Sequence, residues 1–167
     1  MNEIISNATP LIAFSRINQL PLMRQIVKEL VIPEAVSEEI AAYPSTSAGA
    51  IVLADEPWIQ IRMLTSKSQL PLLLPVLDPG EAAVIALALE RQAKLVLIDE
   101  LTGRKVAKSL GLSVVGSVGL LIQAKRIGKI KTVEPFLSAM QQAGLYFSQR
   151  FIDDVLSQVN ESPRQSL

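Results

Sequence analysis

The chain has 167 residues, of which 49% are apolar, and its 16 basic and 16 acidic side chains leave a formal charge of +0; this composition supports one domain with a full core and argues against disorder. It has no cysteine and no histidine, which excludes disulfides, thiolate nucleophiles, Cys/His zinc sites, serine–histidine triads and histidine acid–base pairs together, leaving carboxylates, hydroxyls, Lys, Arg or a hard metal ion for any catalysis. The apolar run Leu70 to Leu77 is broken by Pro71 and Pro75 and is far shorter than the roughly 20 residues that span a bilayer; with no signal-like start, a cytoplasmic protein is expected.

Glu3 to Ser6 reads as a first strand centred on Ile4-Ile5, and Asn7-Ala8-Thr9-Pro10 as the turn into a helix from about Leu11. Leu22, Met23, Ile26, Val27 and Leu30 have helical spacing. Val31-Ile32 is a short strand stopped by Pro33, which opens a third helix through Ile40. Pro44 to Ser47 is a loop, Ala48 to Asp55 is expected to be helical, and Trp58 to Leu64 alternates as a strand near a sheet edge. Thr65 to Leu77 is too irregular to assign, a lid over the sheet edge being one reading.

Asp78 to Glu90 carries the strongest helix signal: Asp78 is a good N-cap, Pro79 suits the first helical position, and Glu81 falls where a capping box needs it. Lys94 to Ile98 is apolar without alternation, as in a parallel strand covered on both faces, and it ends in Asp99-Glu100. Thr102 is read as the cap of a helix from Gly103 to Leu110 closed by Gly111, Ser113 to Gly116 as the next strand, and Ser117 as the cap of a helix ending at Gly128. Two amphipathic helices, Thr132 to Ala143 and Ser148 to Asn160, complete a domain at residues 1–160, and the polar tail 161–167 is expected to fray.

Strands alternating with helices predict a single-domain α/β fold, a parallel sheet with helices on both faces. Strand ends and the starts of the following helices then share one rim, where such sheets bind ligands. Asn7, Glu38, Glu39, Asp78, Glu81, Asp99, Glu100 and Arg104 fall along it. Two carboxylates about 4 Å apart repel by roughly 4 kcal/mol at an effective dielectric near 20, so a cluster needs protons or a cation. Mg²⁺ or Mn²⁺ suits oxygen ligands and activates water against a phosphodiester. Ordinary roles also exist: Asp78 and Glu81 as a cap, Glu38 and Glu39 as solvated positions, Asp99 as a partner of the loop before Thr102.

Charge is unevenly spread. Residues 1–100 hold 7 basic against 12 acidic side chains, residues 101–133 hold 7 basic and no acidic ones, and residues 134–167 hold 2 against 4. Arg104, Lys105, Lys108, Lys125, Arg126, Lys129 and Lys131 are either solvated helix faces or a track for a polyanion, the first five being the candidates for nucleic-acid binding. The glycines 103, 111, 116 and 119 match neither phosphate-binding loop pattern.

The segments Ile4 to Ile12, Val31 to Val36, Leu77 to Ala82, Leu97 to Glu100 and Gly103 to Ala107 resemble PIN-domain proteins, and more closely a prokaryotic branch similar to the VapC-type toxins. The likeness runs from the first strand to about Gly128, with a weaker continuation through the final helices. It implies a three-layer α/β/α fold and a Mg²⁺- or Mn²⁺-dependent toxin-type endoribonuclease, forming homodimers and paired with a small antitoxin. Carried over by position, the acid ending the family's first strand falls on Asn7, the helical Glu on Glu39, the acid opening the later helix on Glu81, and the acid ending the fourth strand on Asp99. The resemblance thus makes Glu39, Glu81 and Asp99 catalytic and adds Asn7 to them as the metal site; Arg104 is expected to steady a phosphate or a neighbouring carboxylate. Asn7 offers a neutral carbonyl oxygen where the pattern has a charged carboxylate. A catalytically weak or silent nucleic-acid- or partner-binding module is therefore the alternative.

Overall fold

The computed structural model describes residues 2–162. Five short strands, β1 (Ile4–Ser6), β2 (Leu30–Pro33), β3 (Ile59–Arg62), β4 (Leu95–Leu97) and β5 (Val114–Val115), form one sheet in the order β3-β2-β1-β4-β5. Every pairing is parallel, and Ile5 stands opposite both Val31 and Val96. Ile5, Ile32, Val96 and Leu97 are fully buried, as expected for central strands covered on both faces. β3 lies at an edge, as expected, but its burial does not follow the expected alternation: Ile59 is buried, whereas Ile61, on the same face two residues on, is exposed where the edge strand runs out from under the helices.

Helices α1 (Ala8–Arg16), α2 (Leu20–Val27), α3 (Glu34–Ala42), α4 (Leu70–Leu73), α5 (Pro79–Arg91), α6 (Leu101–Ser109), α7 (Ser117–Arg126), α8 (Glu134–Gln142) and α9 (Gln149–Gln158) complete a three-layer α/β/α domain. α5 is its central helix. Residues Gly80 to Ala88 are all buried, and the helix packs on β1, β2, β4, α3 and α4. Ala82, Ala83, Ala86 and Ala88 keep it slim enough for that many neighbours. Its capping box is formed: Asp78 Oδ1 accepts from the Glu81 N–H at 2.8 Å, and Glu81 Oε2 accepts from the Asp78 N–H at 3.3 Å. Among the described residues no helix is long and apolar enough to cross a membrane.

Several boundaries differ from the sequence reading for identifiable reasons. α1 starts at Ala8, because Pro10 falls in its first turn, where a missing N–H costs nothing. Residues 48–55 form only a 3₁₀ turn, Leu53–Asp55; Gly49 takes a φ of +88°, which no right-handed helix accommodates. α6 starts at Leu101 with Glu100 as N-cap, so Thr102 lies inside the helix. Ser117 does not cap α7; Gly116 holds the cap position and the serine serves Asp99 instead. The 65–77 connection contains α4 and is pinned, with Thr65 and Ser66 N–H groups donating to the Glu90 carboxylate and Leu73 and Leu77 buried.

The C-terminal segment does not fray at Glu161. Its carboxylate pairs with Lys125 Nζ at 2.9 Å and accepts from the N–H groups of Val133 at 2.6 Å and Glu134 at 2.9 Å, at the start of α8. Orphan donors at a helix N-terminus favour a carboxylate there. Residues 163–167 of the expected tail lie outside the described residues.

Candidate active site

The site is built where β1 and β4 end, beside the capped start of α5. The Asn7 N–H donates to the Leu97 carbonyl at 2.9 Å, tying the end of β1 to β4. Asn7 has the extended backbone of an N-cap, φ −75° and ψ 169°, yet its side chain makes no capping bond to α1. Asparagine is among the best N-cap residues, at typically about 1 kcal/mol, so its side chain forgoes an available contact. The residue is 3% exposed, and its Oδ1 is buried without a hydrogen-bond partner among the described residues. Leaving such an acceptor unsatisfied costs about 1–3 kcal/mol.

Oδ1 is turned toward Gly80. A Cβ placed on Gly80 would lie 2.9 Å from Glu39 Oε2, 3.1 Å from Asn7 Oδ1 and 3.4 Å from Asp78 Oδ1. Three oxygens from three separate elements therefore surround the one position on α5 that has no side chain. Glu39 is solvent-accessible as a residue, but its Oε2 faces this gap; burial first, and then the charge of Asp78, push its carboxyl above the ordinary range. Glu81 is 5% exposed. Burial first, then the charges of Asp78, Glu100 and Glu39, raise it as well, against the opposing hydrogen bond from the Asp78 backbone. Its Oε1 sits 3.1 Å from the Cβ position of Gly103, on α6.

Asp99 faces a different gap. Its Oδ1 accepts from the Ser117 N–H at 2.7 Å and its Oδ2 from the Ser117 hydroxyl at 2.6 Å, so this carboxylate caps α7 from outside. Arg104 Nη1 donates to the Ile98 carbonyl at 3.0 Å. Arg104 Nη1 and Asp99 Oδ1 border the Cβ position of Gly116, at 3.0 Å and 2.8 Å. The rim thus brings Asn7 and Glu39 together with Asp78, places Glu81 next to them, and pairs Asp99 with Ser117 beside Arg104.

The donor chemistry around Gly80, two carboxylates and an amide oxygen with no partner of its own, fits a hard divalent cation. Among the described residues no three Asp, Glu, His or Cys side chains are placed to hold a metal ion together. The sequence reading placed Asp78 on the rim but left it out of the metal site, read Gly116 only as the end of a strand, and gave no role to Gly80 and no partner to Ser117. One signal was present: Gly80 is a glycine in the first turn of a helix otherwise rich in Ala.

The family model DUF3368, a PIN domain, matches residues 3–161. The chain belongs to the PIN-domain family. No curated protein and no solved structure matches it. PIN domains are generally nucleases that depend on divalent metal ions, in keeping with the oxygen-lined gap at the rim of this one. In this PIN domain Lys105 and Lys108 are exposed on α6, which starts at the rim. The Lys125 ammonium donates to the Val159 carbonyl at 2.6 Å and to Glu161 at 2.9 Å, so this cation faces the C-terminal segment. Arg126 is exposed at the far end of α7, about 14 Å along the helix axis from Ser117.

Proposed function

We propose that this PIN domain is a toxin-type endoribonuclease dependent on Mg²⁺ or Mn²⁺. The observation that carries the reading is the convergence of Asn7 Oδ1 and Glu39 Oε2 over Gly80, with the amide oxygen buried and unsatisfied. By the family resemblance, the positions expected to serve the metal are Asn7, Glu39, Glu81 and Asp99, with the three acids expected in catalysis. A divalent ion, when bound, supplies charge neutralisation at the phosphodiester and lowers the pKa of the attacking water. Glu81, raised by burial and by neighbouring acids, is suited to hold or pass a proton at the rim. Arg104, anchored by the Ile98 carbonyl, steadies a phosphate oxygen or Asp99. Lys105 and Lys108 carry the RNA backbone along α6.

Incubation of a single-stranded RNA with the protein and Mn²⁺ is expected to give cleavage that EDTA abolishes. Cleavage that survived the joint substitution Glu81→Ala and Asp99→Ala would refute the assignment.

A second reading, a catalytically silent RNA- or partner-binding module, is favoured by one observation: both oxygens of Asp99 are already engaged by Ser117. A Mn²⁺ titration without heat, with RNA binding intact, would establish it. Cytoplasmic location, a homodimer and a small antitoxin complete the toxin-type proposal. The exposed aliphatic side chains of Met63, Leu72 and Val76, and the unpaired outer edge of β3, support protein partners. A clean monomer at high concentration in sedimentation velocity would count against the dimer.

A further inference from the structure

We propose that the divalent cation is held by Asn7, Glu39 and Asp78 over Gly80, with Asp78 supplying the carboxylate expected from Asp99. This rests on the metal-dependent reading above and changes which residues carry it. Three features of the rim point the same way.

The first is the orphaned acceptor. Asn7 is 3% exposed, forgoes the cap of α1, and presents a partnerless Oδ1 to the gap shared with Glu39 Oε2 and Asp78 Oδ1. A cation there satisfies that oxygen, and the two carboxylates match its double charge. The capping bond from Asp78 to the Glu81 N–H does not interfere, because a carboxylate has about four lone-pair sites.

The second is the state of Asp99. Each of its oxygens accepts a short bond from Ser117, and Arg104 Nη1 stands at the same gap over Gly116. A guanidinium in that position repels a second cation. Lone pairs remain on Asp99 as on Asp78, so the guanidinium is what separates the two acids: Asp99 fixes the start of α7 beside Arg104, and ligation falls to Asp78.

The third is Gly80 itself. Any side chain at this position would start 2.9 Å from Glu39 Oε2 and 3.1 Å from Asn7 Oδ1, inside the space the cation needs. Gly80 is thus the floor of the site, and an added methyl would displace the cation without removing a ligand.

The test is Mn²⁺ binding by isothermal titration calorimetry on the metal-free full chain, without RNA, for the parent, Asp78→Asn, Gly80→Ala and Asp99→Asn. Melting temperatures in EDTA serve as the control for folding. Asn retains the N-cap function of Asp, and Ala is a better helix former than Gly, so the first two variants keep the fold. Both are expected to weaken Mn²⁺ binding at least about tenfold, whereas Asp99→Asn changes it by less than about twofold while lowering the melting temperature. Parent-like binding by Asp78→Asn or Gly80→Ala, with the loss appearing in Asp99→Asn, would overturn the assignment to Asp78 and leave the metal-dependent reading standing. A parent that takes up no Mn²⁺ would overturn both.

Discussion

Asn7→Asp places a third carboxylate in the gap over Gly80, and its effect can be estimated from the geometry. Asn7 Oδ1 and Glu39 Oε2 lie 3.1 Å and 2.9 Å from one point, so they are separated by at most about 6 Å, and two unit charges at that distance repel by about 3 kcal/mol at an effective dielectric near 20. Glu39 reaches solvent, which reduces the repulsion to about 2 kcal/mol. For a domain of this size that corresponds to a melting temperature lower by about 4–8 °C in EDTA. Mn²⁺ at about 100 times its dissociation constant returns about 2.7 kcal/mol, enough to restore the loss. Differential scanning fluorimetry in EDTA and across a Mn²⁺ titration measures both arms, and nuclease activity is expected to rise above the parent's. A variant that melted with the parent in EDTA, and gained no more from Mn²⁺, would show that position 7 does not face the carboxylates.

Burial pushes Glu161 up, but the hydrogen bonds from Lys125 and from the Val133 and Glu134 N–H groups outweigh it and hold this carboxyl below the ordinary range. Its contribution is therefore present above the unfolded value and lost as pH falls through the lower folded value. Glu161→Gln should cost about 2 kcal/mol at neutral pH, with the gap to the parent closing below a pH of about 4.5 in chemical denaturation; a gap unchanged at low pH would mean that charge is not what holds the segment. Ser117→Ala removes the hydroxyl donor to Asp99 but keeps the backbone one, and should lower the unfolding free energy by about 1–2 kcal/mol, read as a lower urea midpoint with an unchanged slope. Lys105→Ala with Lys108→Ala should flatten the salt dependence of RNA binding by about 1.4 in log–log slope, at roughly 0.7 per phosphate contact. An unaltered slope would place the RNA elsewhere.

The sheet was legible because its central strands are covered on both faces: Ile4-Ile5, Val31-Ile32 and Leu95 to Ile98 are apolar without alternation, and each precedes a helix. The Asp78 capping box was legible because its chemistry is local, a cap and a carboxylate three residues apart. The division of the rim was not legible, because it depends on contacts between distant segments. Asp78 looks complete as a cap, and only folding brings Asn7 and Glu39 to the same glycine. Ser117 looks like a cap until β4 delivers Asp99 to it, 18 positions earlier in the chain. Lys125 reads as one of a run of surface cations, and it is drawn out of that run by Val159 and Glu161. The helix expected at 48–55 failed for a local reason, the positive φ of Gly49, which a helical hydrophobic pattern does not register.

Anomalous diffraction at the manganese edge, from crystals soaked in Mn²⁺, tests most directly whether the rim is a divalent-cation site and which acids serve it. One peak is expected above Gly80, within coordination distance of Asn7 Oδ1 and of carboxylate oxygens of Glu39 and Asp78. A rim without a peak, or a peak held by Asp99 with nothing above Gly80, would contradict that placement.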